Sequence, residues 1–274
     1  MALKIPKFET KNEQFAFLKK NVITLIAQKK ARMKKAKNGF NNPTLSIEKF
    51  EKVKAKKNAG SSEQNDEYII VKAVISTTNI RDSHKVVHLP NWAKKSIKEN
   101  KSIMHVQEHK MQEFSKIISD GEDLEVYTEN FKWKDLGFDF EGKTEALIFR
   151  SKVRRERNPE MYKNYTKGWV KNHSVGMVYM KIFLAIDSKE EDYKEEKANF
   201  DKYIDTIANK EEVVKDGYYW GVSEAKVIEG SSVPAGSNFA TPTISGKQKS
   251  KKKKNKKPKK SARLKAVEKF LKIK

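Results

Sequence analysis

A mainly β domain of the α+β class, with peripheral helices and a basic extension at each end, is the fold this 274-residue sequence predicts. Strand-like runs outnumber helical ones. They are separated by irregular connections rather than a regular strand-helix-strand rhythm, which argues against a doubly wound sheet. The third observation is where the charge lies. The net charge of +23 gathers at the ends: residues 1–58 carry 16 Lys/Arg against 4 Asp/Glu, and residues 247–274 carry 15 against 1. Taking both from the total leaves −3 for residues 59–246, so the segment that must hold the core is nearly neutral. One folded core is expected, because typical domains run to roughly 100–200 residues.

From Asn12 to Lys37, Phe15, Leu18, Val22, Leu25 and Ile26 recur at three- and four-residue spacing among lysines and arginines. This predicts an amphipathic helix, either packed on its own domain or docked on an acidic partner or nucleic acid. Residues 38–66, rich in Asn, Lys, Gly and Ser, read as linker and complete the first region, 1–58, and the approach to the domain of 59–246. Glu67–Thr77 opens that domain as a buried strand, rich in β-branched residues and without helix caps. Further strands are expected at 116–118, 124–127, 146–151, 174–186 and 218–228. Short helices are expected at 92–99 and at 160–171, the latter opening just after Asn158-Pro159. Residues 187–216 are so heavily charged that they read as a solvated helical insertion. The region 247–274 is a lysine tract that cannot bury a core and is expected to be disordered, closed by a short amphipathic helix bearing Leu264, Val267, Phe270 and Leu271. A polyanion would be attracted to these ends without sequence specificity.

With no cysteine, neither a disulfide framework, a thiolate metal site nor a cysteine nucleophile is available. No N-terminal apolar stretch resembles a signal peptide and no window approaches the ~18 apolar residues of a membrane span. A soluble, intracellular protein without membrane association is expected.

All five histidines, His84, His88, His105, His109 and His173, fall in the neutral segment. Two stand beside other chemistry. Ser174, in His173-Ser174-Val175-Gly176-Met177, sits at the mouth of an apolar strand, followed by a glycine that admits a close neighbour. A serine is a weak nucleophile until a base takes its proton, and that base must be held in one tautomer by a third group. His109, in a segment that ends before Phe114-Ser115-Lys116-Ile117-Ile118, is the candidate base.

The order of segments resembles the prohead protease family of tailed phages, whose fold is similar to herpesvirus assemblin. Three blocks carry the likeness. They are the strand Ala73–Thr77 with Arg81-Asp82 and Val86-Val87 beyond it; His109 ahead of Ser115-Lys116-Ile117; and Ser174–Met177 paired with Trp220–Ile228 before the turn Val233-Pro234-Ala235-Gly236-Ser237-Asn238. The likeness spans about 67–243 and leaves out both basic ends. The charged segment before Trp220 and the Gly230-Ser231-Ser232 run depart from the family's short pattern.

The resemblance implies an assemblin-like β-barrel. It also implies a cofactor-free serine endopeptidase in the host cytoplasm, inside the assembling prohead. Its partners would be scaffold and major capsid protein, with a homodimer or scaffold as activator and its own ends as further substrates. Ser174 would be nucleophile, His109 general base, and Glu224 the group that orients the ring. Asp82, His88 and His105 are alternatives for that third place, and the departures from the family pattern leave the alignment open between Glu224 and Glu229, which lie five residues apart and on opposite strand faces by alternation. Gly176 and Gly221 are candidates for the oxyanion-binding backbone.

Two other readings compete. His105-Val106-Gln107-Glu108-His109 spells an inverted zinc-peptidase motif, in which a helix presents two histidines to zinc and Glu108 acts as base. Alternatively, the pairs His84/His88 and His105/His109 cap a structural metal in a basic nucleic-acid-binding protein with no enzymatic activity.

Overall fold

The computed structural model describes residues 3–31 and 67–244. The linker of 38–66, the lysine tract and the helix expected near Leu264–Leu271 lie outside the described residues. The chain is mixed α+β and mainly sheet.

The N-terminal segment forms two helices, α1 (Lys11–Lys20) and α2 (Val22–Lys30). Thr10 and Glu13 cap α1 reciprocally, each side chain taking the other's backbone N–H. The break comes at Asn21, whose side-chain amide donates to the Phe17 carbonyl at 2.8 Å. Phe15, Leu18 and Leu25 are buried in the main core, so the apolar stripe packs on its own domain.

The first sheet is antiparallel, in the order β5-β6-β1-β9: β1 (Tyr68–Thr77), β5 (Leu124–Lys132), β6 (Lys143–Arg154) and β9 (Thr243–Ile244). The second is built on the 16-residue strand β8 (Tyr218–Val233), which pairs antiparallel along almost its whole length with β7 (Asn172–Ile186). On the other edge of β8, two short strands lie parallel to it, β2 (Val86–His88) at its beginning and β3 (Met104–Gln107) near its end. β4 (Ile117–Ser119) pairs antiparallel with β3. The sheets pack face to face, and a Cβ added at Gly230 would overlap the ring of Phe149 on β6. Among the described residues they do not close into the barrel that the resemblance implies.

Helix α3 (Lys94–Glu99) joins β2 to β3. Helix α4 (Pro159–Thr166) precedes β7; Asn158 caps it by accepting the Met161 N–H at 2.9 Å, and Pro159 begins it. It stops short of the expected 171 because Gly168 takes a left-handed φ of +71°. Between β7 and β8, α5 (Lys194–Tyr203) and α6 (Lys210–Asp216) occupy the charged segment. That segment is less solvated than its composition suggests. Phe200, Ile207 and Val213 are buried with Val87, Leu89, Ala185 and Tyr219 in a cluster of their own, and buried Glu196 is paired with Lys19 of α1 at 2.6 Å.

Candidate active site

The site is set by the register of β7 on β8. Ser174 stands opposite Ser231, and Gly176 opposite Glu229. Paired residues share a face and i, i+2 residues share it too, so these four side-chain positions form one patch on the sheet. Their neighbours His173, Val175, Gly230 and Ser232 face the other way, toward the four-stranded sheet. Gly176 has a steric reason to be glycine: a Cβ there would overlap the carboxylate of Glu229, which lies across β7 at that point. The close neighbour is thus a side chain.

His109 is delivered to this patch by an unusual turn. β3 ends at Gln107, and Glu108 and His109 both take left-handed backbone conformations, with φ of +53° and +59°. For a non-glycine residue that conformation costs about 1–2 kcal/mol, so the surrounding bonds must enforce it. Glu108 N–H donates to the Ser232 carbonyl at 3.0 Å, His109 N–H to Ser231 Oγ at 2.7 Å, and Lys110 N–H to the Gln107 carbonyl at 3.0 Å.

The His109 ring then meets Glu229, Nδ1 to Oε1 at 2.5 Å. Glu229 is fully buried, and its Oε2 has no hydrogen-bond partner among the described residues. A carboxylate accepts, so Nδ1 carries the proton and Nε2 is left as the basic nitrogen. Ser174 and His109 each retain a sliver of exposed surface, 4% and 8%. A buried carboxylate and an imidazole with Nε2 as its basic nitrogen stand on the sheet patch that also presents Ser174, the three kinds of group that taking a proton off a hydroxyl requires.

Glu224 is elsewhere. It pairs in register with Lys181, seven residues along β7 from Ser174, which at ~3.3 Å per residue is on the order of 20 Å away. Its carboxylate faces Lys181 at 2.8 Å and Lys95 at 3.6 Å; the hydrogen bond from Lys181 holds its pKa below the usual range. The carboxylate beside His109 is Glu229. Gly221 is also remote: it lies opposite Phe183, nine residues from Ser174, with that ring against its Cα. Of the two glycines considered for an oxyanion site, only Gly176 is near the patch.

The other candidates for the third place are engaged too. Asp82 accepts the N–H groups of His84 and Val86 within a turn, at 2.8 and 2.9 Å. His88 is stacked on Trp92 and within 3.0 Å of Ser76 Oγ; desolvation lowers its pKa to about 4.

His105 points into the space between the sheets, where Nδ1 meets Ser151 Oγ at 2.7 Å and Nε2 meets Ser232 Oγ at 3.0 Å. His173 joins the same buried network through the Tyr165 hydroxyl at 3.0 Å and the Thr241 carbonyl at 3.0 Å. Burial lowers the pKa of both rings, His173 to about 4, and raises that of Tyr165.

The inverted zinc-peptidase reading needs His105 and His109 on one helical face. Met104–Gln107 is strand instead, the turn at 108–109 is left-handed, and the two rings lie on opposite sides of the sheet. Among the described residues no three His, Cys, Asp or Glu side chains are grouped to hold a metal. Nor is any described helix long and apolar enough to cross a membrane.

Of the patch, Ser231 has no role in the sequence reading, and Glu229 stands there only as the alternative alignment to Glu224. Register arithmetic would have found both, since Ser174 fixes which residues of β8 share its face once one pair is known. Comparison of the chain with known protein families, curated proteins and solved structures finds no match to any of them.

Proposed function

We propose that this protein is a serine endopeptidase of the kind that matures tailed-phage capsids, with Ser174 as nucleophile, His109 as base and Glu229 in place of Glu224 as the group that orients the ring. The observation that carries the proposal is the 2.5 Å contact between His109 Nδ1 and a buried carboxylate, made on the sheet patch that also presents Ser174. In this reading His109 Nε2 takes the Ser174 hydroxyl proton as Oγ adds to a peptide carbonyl. The imidazolium, held by Glu229, returns the proton to the leaving amine. Water, deprotonated by the same ring, then hydrolyses the serine ester and frees the new carboxyl end.

The relation to the assemblin fold belongs to the same proposal and rests on the order of the histidine, serine and carboxylate segments along the chain. So do the partners: scaffold and major capsid protein as substrates, a homodimer as an activated form, and polyanion contact through the basic ends.

The test is to incubate wild-type full-length chain and Ser174→Ala under identical conditions and follow their intact masses, with and without a chelator. Trimmed ends in wild type alone, unaffected by chelation, is the expected result. Equal trimming of both chains, or trimming that chelator and Glu108→Gln abolish, would overturn the assignment.

A further inference from the structure

We infer that Ser231 is a positioning residue for His109, and through it for the nucleophile at Ser174; this rests on the reading of the site given above. Ser231 is fully buried directly opposite Ser174, and its Oγ accepts the His109 backbone N–H at 2.7 Å. The other two anchors of the left-handed turn, at Glu108 and Lys110, are main-chain carbonyls.

At His109 a main-chain anchor is geometrically excluded. Gly230 and Ser232 are the residues of β8 whose main-chain groups address β3, as the bond from Glu108 N–H to the Ser232 carbonyl shows. Main-chain groups alternate sides along a strand, so those of Ser231 point the other way, toward Ser174. His173 fits the same alternation, since both its N–H and its carbonyl are turned off β8 and are met by the Thr241 hydroxyl.

Only a side chain at 231 can therefore hold the His109 amide. A hydroxyl on a Cβ is short enough to do so without filling the patch that His109 and Ser174 share. Without it, a largely buried N–H is unpaired and the left-handed turn loses the bond that fixes where the ring sits against Glu229. Ser231 thus acts on the base through its backbone, while Glu229 acts on it through the ring.

The experiment measures two quantities on full-length wild type, Ser231→Ala and Ser231→Thr. One is the rate at which a fluorophosphonate probe labels Ser174, located by peptide mass spectrometry; the other is hydrogen exchange at the His109 amide. Ser231→Ala is expected to slow labelling on the order of 100-fold, the scale of a displaced general base, and to speed exchange at that amide. Ser231→Thr, which keeps a hydroxyl, is expected to restore both.

Labelling of Ser231→Ala at the wild-type rate, or a His109 amide that stays as protected as in wild type, overturns the inference. If wild type itself is not labelled at Ser174, the peptidase reading fails. The amide exchange of Ser231→Ala then still decides whether Ser231 holds the turn.

Discussion

At Glu108 the fold tolerates a backbone conformation that an L side chain dislikes, with φ at +53° on an exposed residue. Glycine has no such penalty, so Glu108→Gly is expected to leave thermal stability unchanged or raised by up to about 1 kcal/mol. Labelling of Ser174 should survive the change, because the Glu108 side chain belongs to no part of the patch. A zinc peptidase with Glu108 as base would have no activated serine to label and would instead lose its trimming of the chain ends, so end-trimming followed beside labelling separates the two chemistries. Gly176→Ala should behave in the opposite way. Its new methyl group would overlap the Glu229 carboxylate, and overpacking of this kind costs about 1–3 kcal/mol. Moving that carboxylate off His109 would also slow labelling; a Gly176→Ala chain with wild-type melting and labelling would contradict the packing described here.

Among the elements, α1 shows how a basic helix can be structural. Leu18 is fully buried in the main core, so Leu18→Ala is expected to cost about 2–5 kcal/mol in chemical denaturation. A cost below about 0.5 kcal/mol would mean that α1 is not docked. The same scale shows what could be read from the residues alone. β1, β6, β7 and β8 were legible as long β-branched and aromatic runs. β4, though only three residues long, shows through Ile117-Ile118, whereas β2 and β3 do not, because Val86–His88 and Met104–Gln107 are strands by virtue of β8 beside them. The buried face of 187–216 is hidden for a related reason: Phe200, Ile207 and Val213 lie six or seven residues apart in a segment dominated by charge, too far apart to register as a stripe. In the site, Ser174 and Glu229 share a face because the pairing from Asn172 with Val233 to Gly176 with Glu229 is regular, a register that only the folded sheet fixes. The family likeness, not the register, puts Glu224 beside His109; its pairing with Lys181 lies beyond two register shifts from that stretch.

For the whole molecule, three buried histidines contribute a loss of stability in acid. His88, His105 and His173 are neutral in the fold, their pKa values lowered chiefly by desolvation, to about 4 for His88 and His173. The unfolded chain takes up each proton near 6.5. Stability should therefore be full above about pH 7 and decline as pH falls through 6.5; the share from His88 and His173 stops declining below about 4, where those two folded rings protonate too. At about 1.4 kcal/mol per pKa unit, each of the two rings at about 4 removes roughly 3 kcal/mol across that window. Denaturation at pH 7.5 and pH 5 should show the loss, and a flat profile would mean that these rings are not held neutral.

In the proposed peptidase, Glu229 and not Glu224 steadies the ring that activates Ser174. That role is tested most directly by the rate of fluorophosphonate labelling at Ser174 in wild type, Glu229→Gln and Glu224→Gln. Replacing a carboxylate that orients a catalytic histidine slows the reaction by up to about 10⁴-fold, whereas an ion pair remote from the reacting atoms matters little. Labelling of Glu224→Gln is expected within about twofold of wild type and that of Glu229→Gln at least about 100-fold slower; slow labelling of Glu224→Gln beside normal labelling of Glu229→Gln would overturn the role given to Glu229.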